Sequence, residues 1–228
     1  MANSAFVGIS LDSALFSRDW IRGALTYLLR EHDDVLLVLA DQLLAYNKIA
    51  FSPDFTGAID LDSAKVKMDQ RRDDISRFLA KEIALIPKAG RHRVHITAWE
   101  DHSDALYIGL LRKLRIAYSV IPEFRACVDH DARVHFDRHS NSLEKGNVRH
   151  ELSVSYVLDE TAMDIRITEF SGHPFEYYPE DHIQTLTHLY EGRFRARGLC
   201  VARLIGGSPQ RVFRPLRFPV AQSCSLSP

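Results

Sequence analysis

The sequence predicts an α/β fold in which a mostly parallel sheet is flanked by helices, and three observations carry that reading. Phe6-Val7-Gly8-Ile9 and Val35-Leu36-Leu37-Val38-Leu39 are short and apolar throughout, as strands covered on both faces are. Stretches with helical periodicity separate them and the later strand candidates, long enough to serve as crossovers between parallel strands. The first run stops on a serine, Ser10, and the second is closed by Asp41. Ser10 therefore sits where open α/β sheets bind ligands, just beyond the carboxyl end of a strand.

Taken in order, the first strand is followed by a helix over residues 20–32, with Ile21, Leu25, Leu28 and Leu29 at helical spacing behind a cap at Ser17. Residues 35–39 are the second strand, 40–49 a short helix and 53–59 a loop. The longest periodic stretch runs over 62–86; Met68, Ile75, Leu79 and Ile86 share a face, and Pro87 with Gly90 ends it. Residues 93–99 alternate, with Val94, Ile96 and Ala98 against His95 and Thr97, and read as a third strand. Helices follow over 104–118 and 122–134, then a long helical region over 144–169 formed by one helix or two abutting ones. Residues 175–178 read as a short strand and 181–195 as a helix. Residues 212–218 are a late edge strand, because Pro215 within them and Pro219 after them argue against a central place. This order is that of a single Rossmann-like domain over residues 1–220, with 221–228 as a flexible tail.

The 228 residues suffice for one large domain with a substantial core, and 46% hydrophobic and 26% charged residues are ordinary for a globular protein. A formal charge of −1 gives no global attraction to polyanions, so a nucleic-acid site has to be a local patch. Cys127, Cys200 and Cys224 are odd in number and lack zinc-type spacing, which argues against a disulfide framework and for a reducing compartment. The N-terminus has no basic region before a long apolar one, and no apolar stretch reaches the length of a membrane span. A cytoplasmic protein without membrane association is expected.

Three places have residue types that support chemistry. Ser10 ends a strand; alone it is most simply a turn residue, and it is not in a G-x-S-x-G elbow. Without a strong base it attacks readily only an acyl group that is already activated. Tyr156 and Glu160 are four apart and share a helix face. A phenol and a carboxylate converging there can hold an ammonium by charge-assisted hydrogen bonds, although most such pairs are a core tyrosine and a solvated glutamate. Tyr177-Tyr178-Pro179 ends a strand with two phenols and a proline; a hydroxyl facing the crevice of Ser10 would relay a proton.

Together these residues resemble the tRNA-dependent cyclodipeptide synthases, most clearly over residues 5–47 and 155–190. The resemblance implies a fold like the catalytic domain of class I aminoacyl-tRNA synthetases. It also implies synthesis of a cyclic dipeptide, a 2,5-diketopiperazine, from two aminoacyl-tRNAs through a Ser10-linked aminoacyl-enzyme and then a dipeptidyl-enzyme. Ser10 would be the nucleophile, Tyr156 and Glu160 would hold the α-amino group, and Tyr178 would assist proton transfer. Family members divide into a branch with asparagine three residues after the nucleophile and another with proline after the late tyrosine. Ser13 and Pro179 put this chain with the second. Phe6 and Gly8 are implied to line the first side-chain pocket, and Lys67, Arg71, Arg77 and Lys81, on one face of the long helix, to hold tRNA phosphates. The two aminoacyl-tRNAs are the implied partners, the protein a monomer or weak dimer, and neither a metal nor an organic cofactor is called for.

Other motifs weigh less. Asp129, His130, Asp131, His135 and His139 match no metal-ligand template and read as a solvated helix end. Gly206-Gly207 is not a phosphate loop, and no G-x-G-x-x-G fingerprint occurs. Two other functions stay open: a serine esterase of small acyl substrates, which needs a His/Asp pair near Ser10 and would draw on His173 or His182, and a noncatalytic tRNA-binding module.

Overall fold

The computed structural model describes residues 3–10, 16–41, 46, 61–139, 147–179 and 183–216. Among them the chain builds β1 (Ser4–Ile9), α1 (Arg18–Glu31), β2 (Asp34–Leu39), α2 (Leu61–Ala84), α3 (Lys88–Arg91), β3 (Val94–Ala98), α4 (Ala105–Val120), α5 (Pro122–His139), α6 (Asn147–Phe170), β4 (Phe175–Tyr178), α7 (Gln184–Glu191), α8 (Val201–Ile205) and β5 (Val212–Pro215). The sheet order is β3-β2-β1-β4-β5, and every pairing is parallel.

The pleat of β1 divides the core. Ala5, Val7 and Ile9 pack into one layer with α1 and α2, whereas Phe6 packs into the other with α4, α5 and α6. The α1 layer forms because Ile21, Leu25 and Leu28 recur on one face, all at most 2% exposed. Ser17 caps α1 by accepting from the Trp20 N–H at 3.3 Å. The Trp20 indole donates to the Leu216 carbonyl at 3.1 Å, tying the end of β5 to α1. In the opposite layer α6 is the central helix. Val157, Leu158, Ala162, Met163, Ile165 and Ile167 are buried around its circumference, as a helix enclosed by neighbours requires.

Several boundaries differ from the sequence reading. The helix expected over 181–195 spans Gln184–Glu191 and stops at Gly192, whose φ of 73° is left-handed. The long region over 144–169 is one helix from Asn147. The late strand is an edge strand ending at Pro215, and α8 follows a stretch too short for periodicity to reveal. The expected helix over 40–49 and loop over 53–59 lie largely outside the described residues, as do Ser13, His182 and the tail.

Candidate active site

Chain order across the sheet creates one reversal. From β1 the chain steps to β2 and β3 on one side, then returns through α4, α5 and α6 to β4 on the other side of β1. The crevice of such a sheet opens where the order reverses, beyond the carboxyl ends of the two diverging strands. Those ends are Ile9-Ser10 and Tyr178-Pro179. Ser10 is half-buried directly after β1, and Ala40 N–H donates to the Ile9 carbonyl at 2.9 Å to fix the adjoining backbone.

Phe6 and Gly8 precede Ser10 at strand spacing of two, so they belong to one side of the sheet. Phe6 is 2% exposed and serves the core. Among the described residues, a Cβ placed on Gly8 would meet nothing within 4 Å, which leaves space next to Ser10 on this side.

Tyr156 and Glu160 come from α6, one helical turn apart and both half-buried. The Tyr156 hydroxyl is held well above the ordinary phenol range, first by burial and then by the charges of Glu160, Tyr178 and Asp164. Asp164 lies one further turn along the same helix face and is 6% exposed. Against the phenol ring lies His135 of α5, with ring centroids 4.0 Å apart and planes inclined by 22°, a face-to-face stack.

The two tyrosines of β4 both touch the α1 layer but differ in burial and partners. Tyr177 is 1% exposed, belongs to the α1 layer and shares a 2.8 Å hydrogen bond with His32 Nε2. Tyr178 is half-buried, meets Phe16 edge to face at 5.7 Å and lies within the electrostatic reach of Tyr156. Pro179 is buried directly after the strand.

Tyr156 and Glu160 share a face of α6 and Tyr178 acts on Tyr156 electrostatically, while Tyr178 and Ser10 close neighbouring parallel strands at the same end of the sheet. The cations of α2 lie apart from this group. Arg71, Arg77 and Lys81 are exposed on that helix, with Arg77 bonded to Asp74 at 2.5 Å. Lys67 is helical, its side chain outside the description. Arg72, which sequence reasoning passed over, pairs with Asp41 at 3.2 Å, Asp69 at 3.2 Å and Glu100 at 3.4 Å.

The His/Asp-rich stretch needs correcting. Asp131 is 6% exposed, and its carboxylate accepts from the N–H groups of Gln184 and Thr185, capping α7. With His135 on Tyr156, Asp131 and His135 belong to a packed face of α5, whereas His130 is exposed and the side chain of His139 lies outside the described residues. The signal was present: Phe124, Val128 and Ala132 form the buried stripe of α5, and His135 continues it at helical spacing. Among the described residues, no group of three or more His, Cys, Asp and Glu side chains is placed to hold a metal ion.

A second carboxylate on α6 was also missed. Asp159 is 4% exposed and accepts from the hydroxyls of Tyr46 and Tyr107, each at 2.5 Å. His173, a candidate partner for an esterase serine, lies in the field of Asp34 and His95. It lies two residues before β4, whose Phe175 pairs with Ala5, towards the amino-terminal end of the strands and away from Ser10. No helix among the described residues is long and apolar enough to cross a membrane.

No protein-family model matches the chain, and no curated protein matches it. Solved structures do. A protein of Mycobacterium tuberculosis, described as showing that cyclodipeptide synthetases are related to type I tRNA synthetases, superposes with a TM-score of 0.69 at 17% identity, covering 93% of this chain and 84% of that one. A cyclodipeptide synthase from Bacillus thermoamylovorans gives 0.68 at 14% identity over 92% and 86%. One from Streptomyces noursei gives 0.61 at 16% identity over 78% and 82%. At such identity the agreement speaks to backbone architecture: the chain has the fold seen in cyclodipeptide synthases, an all-parallel five-stranded sheet flanked by helices and related to that of class I aminoacyl-tRNA synthetases.

Proposed function

We propose that the protein is a tRNA-dependent cyclodipeptide synthase. The observation that supports this best is that β1 and β4 are parallel neighbours ending at Ser10 and Tyr178, with Tyr178 and Glu160 acting electrostatically on Tyr156. The shared backbone with cyclodipeptide synthases over most of the chain supports the same reading.

Ser10 Oγ attacks the ester carbonyl of a first aminoacyl-tRNA. The bond from the carbonyl carbon to the ribose oxygen breaks, and the serine proton ends on that oxygen. The aminoacyl ester is already activated, so a serine without a strong base suffices. Glu160 and Tyr156 hold the α-ammonium of the retained group by charge-assisted hydrogen bonds. After giving one proton to water, this amine attacks the ester of the second aminoacyl-tRNA. A peptide bond forms, the second ribose oxygen leaves with a proton, and the dipeptide stays on Ser10. Its new terminal amine then attacks the Ser10 ester; the ring closes and the proton returns to Oγ through Tyr178. The open space beside Gly8 receives the first side chain, and the cations of α2 hold tRNA phosphates.

The test is mass spectrometry of spent medium from bacteria expressing the protein or its Ser10→Ala variant. A diketopiperazine is expected only with Ser10 intact, and purified protein mixed with charged tRNA should gain the mass of one aminoacyl group. Product from the alanine variant at the wild-type level would remove the covalent role of Ser10.

A further inference from the structure

We propose that His135 is a positioning residue for the first aminoacyl group, acting through Tyr156; this rests on the synthase reading. The geometry is specific. The imidazole and the phenol lie face to face at 4.0 Å and 22°, and one ring comes from α5 and the other from α6. His135 reaches Tyr156 because it continues the buried stripe of Phe124, Val128 and Ala132 on α5.

What the stack does follows from how a tyrosine moves. Rotation about χ2 leaves the hydroxyl on the ring axis, whereas rotation about χ1 sweeps it through several ångströms. A flat side chain against the ring face closes one side of that arc. The hydroxyl is then kept on the side of Glu160, Tyr178 and Asp164, the groups whose charges act on it. A clamp for an ammonium needs the phenol and the carboxylate to converge on one nitrogen, and small misplacement of a positioning group costs rate steeply. An aliphatic side chain at 135 would fill the volume but offer no flat face.

The experiment follows formation of the aminoacyl adduct on purified protein by rapid quench and intact mass, with two substrates. One is charged tRNA bearing the free α-amine. The other is the same tRNA with that amine acetylated, which offers no ammonium to the clamp. His135→Ala should slow adduct formation from the free-amine substrate roughly three- to tenfold, the range of a lost aromatic stack. The acetylated substrate should react with variant and wild type alike. His135→Phe, which restores a flat face, should return the free-amine rate to within about twofold of wild type. His135→Leu replaces the alanine variant if that one does not fold.

Equal slowing of both substrates would mark a general folding defect and overturn the proposal, as would an unchanged free-amine rate in His135→Ala or His135→Leu. Failure of the synthase reading looks different: wild-type protein would form no adduct with either substrate, and this inference would fall with it.

Discussion

Asp159 and Glu160 are adjacent carboxylates on α6 with different surroundings. Successive helix residues point about 100° apart. Asp159 turns toward α4, where the hydroxyls of Tyr46 and Tyr107 close on it, and Glu160 toward Tyr156. Burial, followed by the Asp159 charge, pushes both of those phenols well above their ordinary range, so they serve as neutral donors. Asp159→Ala leaves two buried hydroxyls without their acceptor and should cost about 3 kcal/mol in urea unfolding. Glu160→Gln should leave the unfolding midpoint nearly unchanged while slowing diketopiperazine formation roughly 10- to 100-fold, the worth of a charged hydrogen bond to the ammonium. Swapped outcomes, with the glutamate carrying stability and the aspartate only rate, would reverse the two roles. Sequence spacing pointed to Glu160 through its partner four residues earlier. It was silent on Asp159, because both of that residue's partners are remote in the chain. Tyr177 and Tyr178 show the same limit: alternation tells them apart, but only the assembled sheet shows that Tyr177 bonds His32 and that Tyr178 acts electrostatically on Tyr156.

Helix ends tell how much of each element local chemistry determines. Asp104 caps α4 by accepting from the N–H groups of Leu106 and Tyr107, both at 3.0 Å, and also receives the Arg166 guanidinium of α6 at 2.7 Å. The Arg166 hydrogen bonds, followed by the backbone N–H of Tyr107, hold its carboxyl far below the ordinary aspartate range. A carboxyl lowered by folding contributes stability that is complete above its unfolded value of about 4 and lost as pH falls toward the folded value. Wild-type protein should therefore lose stability in urea between about pH 4 and pH 2 more steeply than Asp104→Asn, which retains a cap but does not titrate. At pH 7 the same variant should be only about 1 kcal/mol less stable, since Asp104 is 41% exposed and solvent screens the pair. Parallel acid limbs in the two proteins would exclude this linkage. The beginning of α1 at Ser17 was readable because its cap lies within four residues of the helix. The end of α7 was harder: apolar spacing continues past Glu191 to Phe194, and the left-handed conformation of Gly192 overrides it. The long α6 could be recognised as helical but not as one helix, because buried residues around much of its circumference leave little polar face to mark its start.

At the scale of the whole molecule, the sequence disclosed strands and crossovers but not their order, since apolar strands such as β1 and β2 carry no local mark of their neighbours. The observed order makes β1 central, with β2 and β4 on either side, and so converts a serine after a strand into a serine at the crevice. On the proposed reading, chemistry and RNA binding fall on different helices, with the exposed cations on α2 and Tyr156 and Glu160 on α6. With a net charge of −1, attraction to tRNA has to come from such local patches. Binding of tRNA should weaken with added salt, and the log–log slope should fall by roughly 0.7 to 0.9 for each phosphate contact removed. The double substitution Arg71→Ala with Lys81→Ala should lower that slope by about 1 to 2 and weaken binding at 50–200 mM salt. Acylation of Ser10 by a small activated aminoacyl ester, which carries no phosphates, should proceed at the wild-type rate, because the clamp and nucleophile are untouched. If the variant bound tRNA with the wild-type slope, the RNA would have to dock on another face. If it lost acylation by the small ester as well, α2 would have to support the crevice itself, and the division of labour between the two helices would not hold.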